Sequence, residues 1–269
     1  MESKNAVLFF LNYENVTLFK KYKNLRLHFF ITNKEMFTQE DQNKLDKICF
    51  KYYLGRDKSH GTDHIQKVLK NVEKISKNCI FSTREKTILR TCALLHDAYD
   101  HKYFQKEEGI TCVRNKITDD LTQFGLSWNE IQIIFIIINS ISFSKEKEKR
   151  LGENNMYYEL KQLLSPSMIN IRNIVSDADK IEALGVEGIN RMILFSLVEL
   201  KSSINKTVSL QIIIDEIKQL CKNKLYIMIS QNYIRTDIAR KIASQKLEEL
   251  KQITEDDKIL REFITNFIK

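Results

Sequence analysis

Proline and glycine are scarce in this sequence, which has one proline and seven glycines among its 269 residues. These residues mark most of the turns that join short strands, so their scarcity disfavours a fold of many strands and favours long helices. Hydrophobic residues make up 43% of the chain, which is enough for one sizeable core. We therefore expect an all-α protein whose helices form a single bundle.

Disulfide and membrane signals are also missing. No CxxC pair occurs, and the five cysteines are odd in number, widely spaced and mostly set among apolar residues. This pattern predicts free, buried thiols in a reducing compartment. The apolar run at residues 6–11 is far shorter than the roughly 20 residues that span a bilayer. These features predict a soluble, cytoplasmic protein without a membrane partner.

Positive charge is in excess, with a formal net charge of +8. Two interpretations remain open: a nucleic-acid surface, or a lysine-rich chain whose field attracts phosphorylated small molecules. No stripe of arginines alternates with aromatic residues, so nucleic-acid binding is disfavoured and remains an accessory role for the lysine-rich N-terminus. The densest charge run, KEKEKR at residues 145–150, alternates in sign and predicts a solvated part of a polar loop over about 144–155.

Residues 1–37 differ from the rest of the chain. Their segments AVLFFL and LRLHFFIT have strand character and predict a small N-terminal extension with a short hairpin. From Thr38 onward the apolar spacing is helical, behind a Thr38 cap with Asp41 three residues later. The sequence therefore predicts a main domain over residues 38–269.

Caps help to place the later helices. Thr83 is expected to cap one helix, and Ser127 with Glu130 forms a capping box before IQIIFIII. That apolar run has the composition of a buried strand, but the cap favours a core helix. Thr254 with Asp257 supplies the last capping signal. In the C-terminal third we expect helices at roughly 186–201, 208–234, 236–252 and 255–268.

Two histidines fall on the inward faces of predicted helices. His64 lies one helical turn before Val68, within a series of apolar residues with a period near 3.6. His96 follows Ile88 and Cys92 at four-residue steps, near the end of its helix. Both imidazoles are therefore predicted to be buried, where they need partners.

Two aspartates supply candidate partners for these histidines. Asp97 is adjacent to His96, and Asp179 lies in the acidic segment SDADKIEALG, where a tight turn is expected over 177–185. Two imidazoles and two carboxylates suit an open-sited divalent cation such as Mn²⁺, Fe²⁺, Co²⁺ or Ni²⁺ better than a closed structural zinc. His64, His96, Asp97 and Asp179 are thus a candidate metal site.

Three segments together resemble the HD superfamily of metal-dependent phosphohydrolases. They are HGTDHIQKV, ALLHDAYDHKY and DADKIEALG, in the order and at the spacing of one branch of small HD hydrolases. The resemblance runs from about Lys51 to TDIARKIASQKLEEL near Thr236 and leaves out the first 40 residues. It implies an HD-type helical bundle in which His64, His96, Asp97 and Asp179 are the metal ligands.

The same resemblance implies further roles around the metal. Asp97 and Asp100 are candidate catalytic carboxylates, the latter for proton transfer, and Lys102 is a candidate for both catalysis and substrate binding. Asp177 is either a partner behind the metal ligands or the cap of its own DADK turn, and the cap is favoured. His101 is expected to be exposed rather than a ligand.

Phosphate contacts are expected from basic residues beside the motifs. His60 and Lys102 are the first candidates, because lysine and protonated histidine donate charge-assisted hydrogen bonds to phosphate oxygens. Lys180 and Arg56 are further candidates. For the lysines the alternative is a surface position or an ion pair with Asp100 or Glu182, and for Arg56 it is an ordinary charged loop.

The resemblance implies hydrolysis of phosphoester or phosphoanhydride bonds with a divalent cofactor, Mn²⁺ first and Fe²⁺, Co²⁺, Ni²⁺ or Mg²⁺ as alternatives. The substrate is expected to be a small phosphorylated molecule, in the first place a nucleotide such as a nucleoside or deoxynucleoside triphosphate. Two alternatives remain: a phosphodiesterase for a cyclic nucleotide or an oligonucleotide, and an HD-fold protein that binds nucleotides without turnover.

Overall fold

The computed structural model describes residues 37–56, 61–99, 104, 106–151, 156–203 and 209–268, and these contain helices and no β-strand. Residues 1–36, which carry the predicted strand segments, lie outside the described residues. The all-α prediction is confirmed. In chain order the helices are α1 (Gln39–Phe50), α2 (Thr62–Ser76), α3 (Thr83–Leu95), α4 (Glu107–Phe124), α5 (Trp128–Asn139), α6 (Phe143–Leu151), α7 (Met156–Leu163), α8 (Pro166–Glu182), α9 (Gly185–Ser203), α10 (Leu210–Leu220), α11 (Tyr226–Ser230), α12 (Asp237–Thr254) and α13 (Asp257–Ile268).

Side-chain caps begin several helices close to where the sequence predicts them. Thr38 and Ser127 each form the predicted capping box. Ser82, rather than the predicted Thr83, caps α3, so that start differs by one residue. The apolar run IQIIFIII lies in α5, as the Ser127 cap predicts. Cap chemistry thus located these helix starts to within a residue.

The N-terminal cap of the last helix, α13, differs from the prediction. Asp256, rather than Thr254, accepts hydrogen bonds from the backbone N–H groups of Lys258 (2.8 Å) and Ile259 (3.1 Å) at the start of α13. Thr254 is buried at the end of α12, where its hydroxyl donates to the Leu250 carbonyl. A carboxylate in the loop was therefore the better acceptor for the free N–H groups.

Two segments predicted to be loops are helical. The charged run at 145–150 belongs to α6, in which Glu146 is only 2% exposed. The acidic segment expected to form a turn is instead the last turn of α8, and the chain bends only after it, at Gly185 with φ of 76°. In both places charged side chains are buried and paired within the helical core, including Glu146, which the sequence assigns to a solvated loop.

Helix α8 is the centre of the fold. It packs against α2, α3, α5, α7, α9 and α12. Its apolar residues Ile171, Ile174 and Ile181 are fully buried, and so are several of its polar residues, including Asp177 and Lys180. A helix packed against six others must pair its buried charged groups with those neighbours, and this requirement positions the candidate site.

Candidate metal site

The two histidines meet between α2 and the end of α3. His64 lies in the first turn of α2 and His96 directly follows α3, and their side chains are 2% and 1% exposed. Their Nε2 atoms are 3.1 Å apart. The predicted burial of both imidazoles is confirmed.

The two aspartates approach this pair from the more open side. Asp179 Oδ1 lies 3.5 Å from His64 Nε2 and 3.8 Å from His96 Nε2. Asp97 Oδ2 lies 3.7 Å and 3.6 Å from the same atoms. The side chains of Asp97 and Asp179 are 20% and 30% exposed, so the group opens to solvent at its carboxylates. We call these four residues the histidine–aspartate cluster.

These separations fit ligands around one ion. Ligand atoms about 2.1 Å from a shared cation lie roughly 3.0 Å apart when adjacent and roughly 4.2 Å apart when opposite. Ligand atoms of His64, His96 and Asp179 all lie within 4.8 Å of one another, and within the described ranges this is the one such group of three or more His, Cys, Asp or Glu residues. Asp97 lies outside that group, although its Oδ2 is 3.7 Å from His64 Nε2 and 3.6 Å from His96 Nε2.

The outer nitrogens of the imidazoles also face acceptors. His96 Nδ1 is 2.9 Å from the Ala93 carbonyl oxygen, and His64 Nδ1 is 3.3 Å from Glu182 Oε2. The Ala93 carbonyl favours a proton on His96 Nδ1, which turns the Nε2 atom of that ring into the cluster, whereas Glu182 is within ion-pair distance of His64 Nδ1 but outside hydrogen-bond geometry. Two nitrogen lone pairs and two carboxylates then converge on one place, which attracts a cation.

The electrostatics of His96 agree with this reasoning. Burial acts to lower the pKa of His96, but the Asp97 and Asp179 carboxylates and the Ala93 carbonyl outweigh it and raise that pKa above its ordinary value. The surroundings of the imidazole therefore favour positive charge.

Arg56 holds the backbone that carries Asp97. Its Nη1 donates to the Asp97 carbonyl oxygen at 2.7 Å, and its Nη2 donates to the Ala98 carbonyl oxygen at 2.5 Å. The guanidinium lies 4.8 Å from the centre of the Tyr53 ring, whose hydroxyl donates to the Leu94 carbonyl oxygen at 2.8 Å. The sequence predicts a substrate contact for Arg56, whereas the structure gives it carbonyl groups to bind at the end of α3.

Lys180 does not point toward the histidine–aspartate cluster. Its Nζ lies 3.3 Å from Glu146 Oε2 and donates to Ser176 Oγ, and the side chain is 1% exposed. Burial and the nearby Arg172 lower the pKa of Lys180 to about 8, while the Glu146 and Asp177 carboxylates oppose them. Lys180 was predicted to bind substrate, but its side chain is buried and already paired with Glu146 and Ser176.

Glu146 is the shared anion of this second group. It also forms ion pairs with Arg172 at 3.2 Å and with Arg235. We call Glu146, Arg172, Asp177, Lys180 and Arg235 the ion-pair cluster. Of its α8 members, Asp177 and Lys180 are three residues apart and share a face, whereas Asp179 is adjacent to Lys180 and points elsewhere.

Asp177 is a cap, but for another helix. Its carboxylate accepts hydrogen bonds from the backbone N–H of Arg235 at 3.0 Å, and from the N–H and hydroxyl of Thr236 at 2.6 and 2.8 Å. Thr236 is the N-cap of α12. The predicted cap of its own turn is wrong, because Asp177 lies inside α8, where backbone N–H groups are already bonded.

Glu182 was missed as a site residue. It lies three residues after Asp179, on the same face of α8, and its side chain is 3% exposed. Besides facing His64 Nδ1, it forms an ion pair with Arg191 of α9. The i, i+3 spacing from Asp179 was the available signal, but the sequence suggested Glu182 only as a partner for Lys180.

Several predicted residues lie outside the described residues. They are His60, Asp100, His101 and Lys102.

A cavity of about 530 Å³ lies elsewhere, against α1 and α4. Its acidic and basic groups pair with each other, as in the contact of 2.5 Å between Lys51 Nζ and Asp120 Oδ2. Its lining residues are Lys51, Tyr52, Val113, Lys116, Asp119 and Asp120. The cavity does not include residues of the histidine–aspartate cluster.

Among the described helices, none is long and apolar enough to cross a membrane.

Known proteins resemble this chain in three dimensions. No protein-family model and no curated protein matches its sequence. A crystal structure of a Lactobacillus plantarum protein aligns with a TM-score of 0.58 and 18% identity, over 86% of this chain and 100% of that one. Bacillus subtilis YpgQ aligns with a TM-score of 0.55 and 21% identity, over 84% and 97%. YpgQ in complex with ADP gives 0.55 and 19%, over 84% and 95%. At these identities the likeness establishes the fold.

Proposed function

We propose that this protein is a metal-dependent phosphohydrolase of the HD type that cleaves a phosphoester or phosphoanhydride bond of a nucleotide, with a nucleoside triphosphate as the first candidate. The observation that carries the proposal is the convergence of two imidazole Nε2 atoms and two carboxylates in the histidine–aspartate cluster. A divalent cation satisfies all four groups at once.

The cluster is suited to this chemistry. A divalent cation, when bound, supplies charge that polarises a phosphoryl oxygen and lowers the pKa of water. His64 and His96 present their Nε2 atoms from the buried side, while Asp97 and Asp179 face the solvent from which substrate arrives. Arg56 fixes the backbone at Asp97. Asp100, Lys102 and His60 keep their predicted roles in proton transfer and phosphate binding.

Two observations support a nucleotide as substrate. A structure of the YpgQ protein, which shares this fold, is a complex with ADP. The net charge of +8 also favours anionic ligands. We place the activity in a reducing compartment such as the cytoplasm, in keeping with five unpaired cysteines.

The direct test is hydrolysis by purified protein after treatment with a chelator and after addition of Mn²⁺. We expect activity on nucleoside triphosphates to vanish and then return, and activity indifferent to both steps would overturn the proposal. Products identify the bond: pyrophosphate or phosphate indicates a triphosphatase, while a monophosphate formed from a cyclic nucleotide or an oligonucleotide indicates a phosphodiesterase. Nucleotide binding without turnover at any metal concentration would indicate a sensor.

A further inference from the structure

The Glu182 carboxylate lies between a histidine of the cluster and an arginine of the next helix. Glu182 Oε2 is 3.3 Å from His64 Nδ1, and the same oxygen forms an ion pair with Arg191 Nη1. The side chain of Glu182 is 3% exposed and that of Arg191 is 26% exposed. The order from the core outward is therefore His64, Glu182, Arg191.

A carboxylate behind an imidazole has two effects on a ligand. It favours the tautomer with the proton on Nδ1, which leaves the Nε2 lone pair for the metal ion. It also makes the imidazole more basic, so that Nε2 is a stronger metal ligand. The two histidines differ in this respect. His96 Nδ1 faces a neutral carbonyl oxygen, that of Ala93, whereas His64 Nδ1 faces a charged carboxylate.

Arg191 explains how a buried carboxylate can be kept at this position. An unpaired carboxylate at this depth would be costly, and its ion pair with Arg191 offsets that cost and limits its orientation. Arg191 lies on α9, whereas His64 and Glu182 lie on α2 and α8. Residues of three helices thus contact one another in the order Arg191, Glu182, His64, and His64 is a candidate metal ligand. We call this series the His64 contact chain.

We propose that Glu182 is the positioning residue for His64, and that with Arg191 it sets the affinity of the histidine–aspartate cluster for its divalent cation. This inference rests on the proposed metal-dependent function.

The test compares Glu182→Gln with Glu187→Gln. Glu187 is a matched control, because its ion pair with Lys67, at 3.5 Å, also joins α9 to α2, yet it is 53% exposed and lies outside the His64 contact chain. Mn²⁺ affinity is measured by calorimetry, and Co²⁺ absorption reports the ligand geometry. We expect Glu182→Gln to bind Mn²⁺ about 10- to 100-fold more weakly and to alter the Co²⁺ spectrum, while Glu187→Gln matches the wild type.

A second variant covers the case in which Glu182→Gln does not fold because Arg191 is left unpaired. The double variant Glu182→Gln with Arg191→Gln replaces the ion pair by two neutral amides and should show the same loss of Mn²⁺ affinity. If the wild type binds Mn²⁺ and the variants bind it equally tightly with an unchanged Co²⁺ spectrum, the positioning role is wrong and the metal site stands. If the wild type binds neither ion, the proposed metal-dependent function falls, and the inference falls with it.

Discussion

Helix α8 contributes residues to two groups of charged and polar side chains that differ in how their charge is balanced. In the ion-pair cluster, the Glu146 and Asp177 carboxylates are compensated by the basic side chains of Arg172, Lys180 and Arg235 and by backbone N–H groups. In the histidine–aspartate cluster, two carboxylates face two imidazoles, and these four residues include no lysine or arginine. Both groups are largely buried, but the carboxylates of the first face lysine and arginine side chains, whereas those of the second face imidazoles. Charge balance, rather than burial, therefore separates the candidate site from structural pairing.

The largest expected effect comes from removing a carboxylate of the histidine–aspartate cluster. Asp179→Asn should lower turnover by about 10³-fold or more, because the lost metal charge contributes several kcal/mol to the transition state. The melting temperature of the metal-free protein should stay equal or rise, since the substitution relieves crowding of lone pairs. Initial rates and thermal melts in chelator check both parts, and a large loss of metal-free stability would contradict the comparison.

The ion-pair cluster should respond in the opposite way. Glu146→Gln should lower the free energy of unfolding by about 3–5 kcal/mol, because Arg172 and Lys180 remain buried without their shared anion. Denaturant unfolding measures this change. Glu148→Gln is the control, since Glu148 lies on the same helix and is exposed. Mn²⁺ affinity of the folded Glu146→Gln protein should match the wild type.

Acid should reduce the difference between wild type and Glu146→Gln. Burial acts to raise the pKa of Glu146, but Lys180, Arg235 and Arg172 lower it from 4.5 to about 2. A carboxylate whose pKa is lower in the folded state stabilises the protein above its unfolded pKa, and this stabilisation is lost as pH falls toward the folded value. The difference in free energy of unfolding between wild type and Glu146→Gln should therefore shrink from pH 7 to pH 4 and pH 3. A difference that stays constant over this range would count against the ion pairs of Glu146.

Divalent ions should stabilise the wild type. At a concentration 100 times the dissociation constant, a cation that binds only the folded protein adds about 2.7 kcal/mol to the free energy of unfolding. Thermal melts with and without Mn²⁺ measure the shift. Asp179→Asn should lose it, whereas Glu146→Gln should keep it. A shift retained in Asp179→Asn would locate the ion elsewhere.

The smallest expected effect concerns Arg56. Arg56→Ala removes the hydrogen bonds to the Asp97 and Ala98 carbonyl groups and should cost about 1–2 kcal/mol, seen as a roughly 5- to 30-fold loss of turnover. Arg56→Lys should recover part of this loss through a single donor. Steady-state kinetics compares the two. If Arg56→Ala raised KM alone, the originally predicted substrate contact would be favoured.

Local spacing was enough to predict part of the site. Four-residue steps before His96, and the apolar series after His64, locate both imidazoles on buried faces because helix periodicity is a local property. Partners from distant segments were not predictable in this way. Lys180 pairs with Glu146, 34 positions away, and Asp177 binds Thr236, the N-cap of α12, 59 positions later. The alternating charges of KEKEKR indicated a solvated segment, because the sequence does not show that Arg172, Lys180 and Arg235 pair with Glu146.

The cap formed by Asp177 bears on the order in which this protein is made. The proposed ligands are complete once residue 179 has been synthesised, but Asp177, two positions earlier, receives its backbone donors from Arg235 and Thr236. Burial raises the pKa of Asp177, although those donors oppose it, so burying this carboxylate without them is costly. The donors that bind the buried Asp177 carboxylate are thus synthesised more than 50 residues after the candidate ligands, so the final packing of α8 depends on a segment that is made much later.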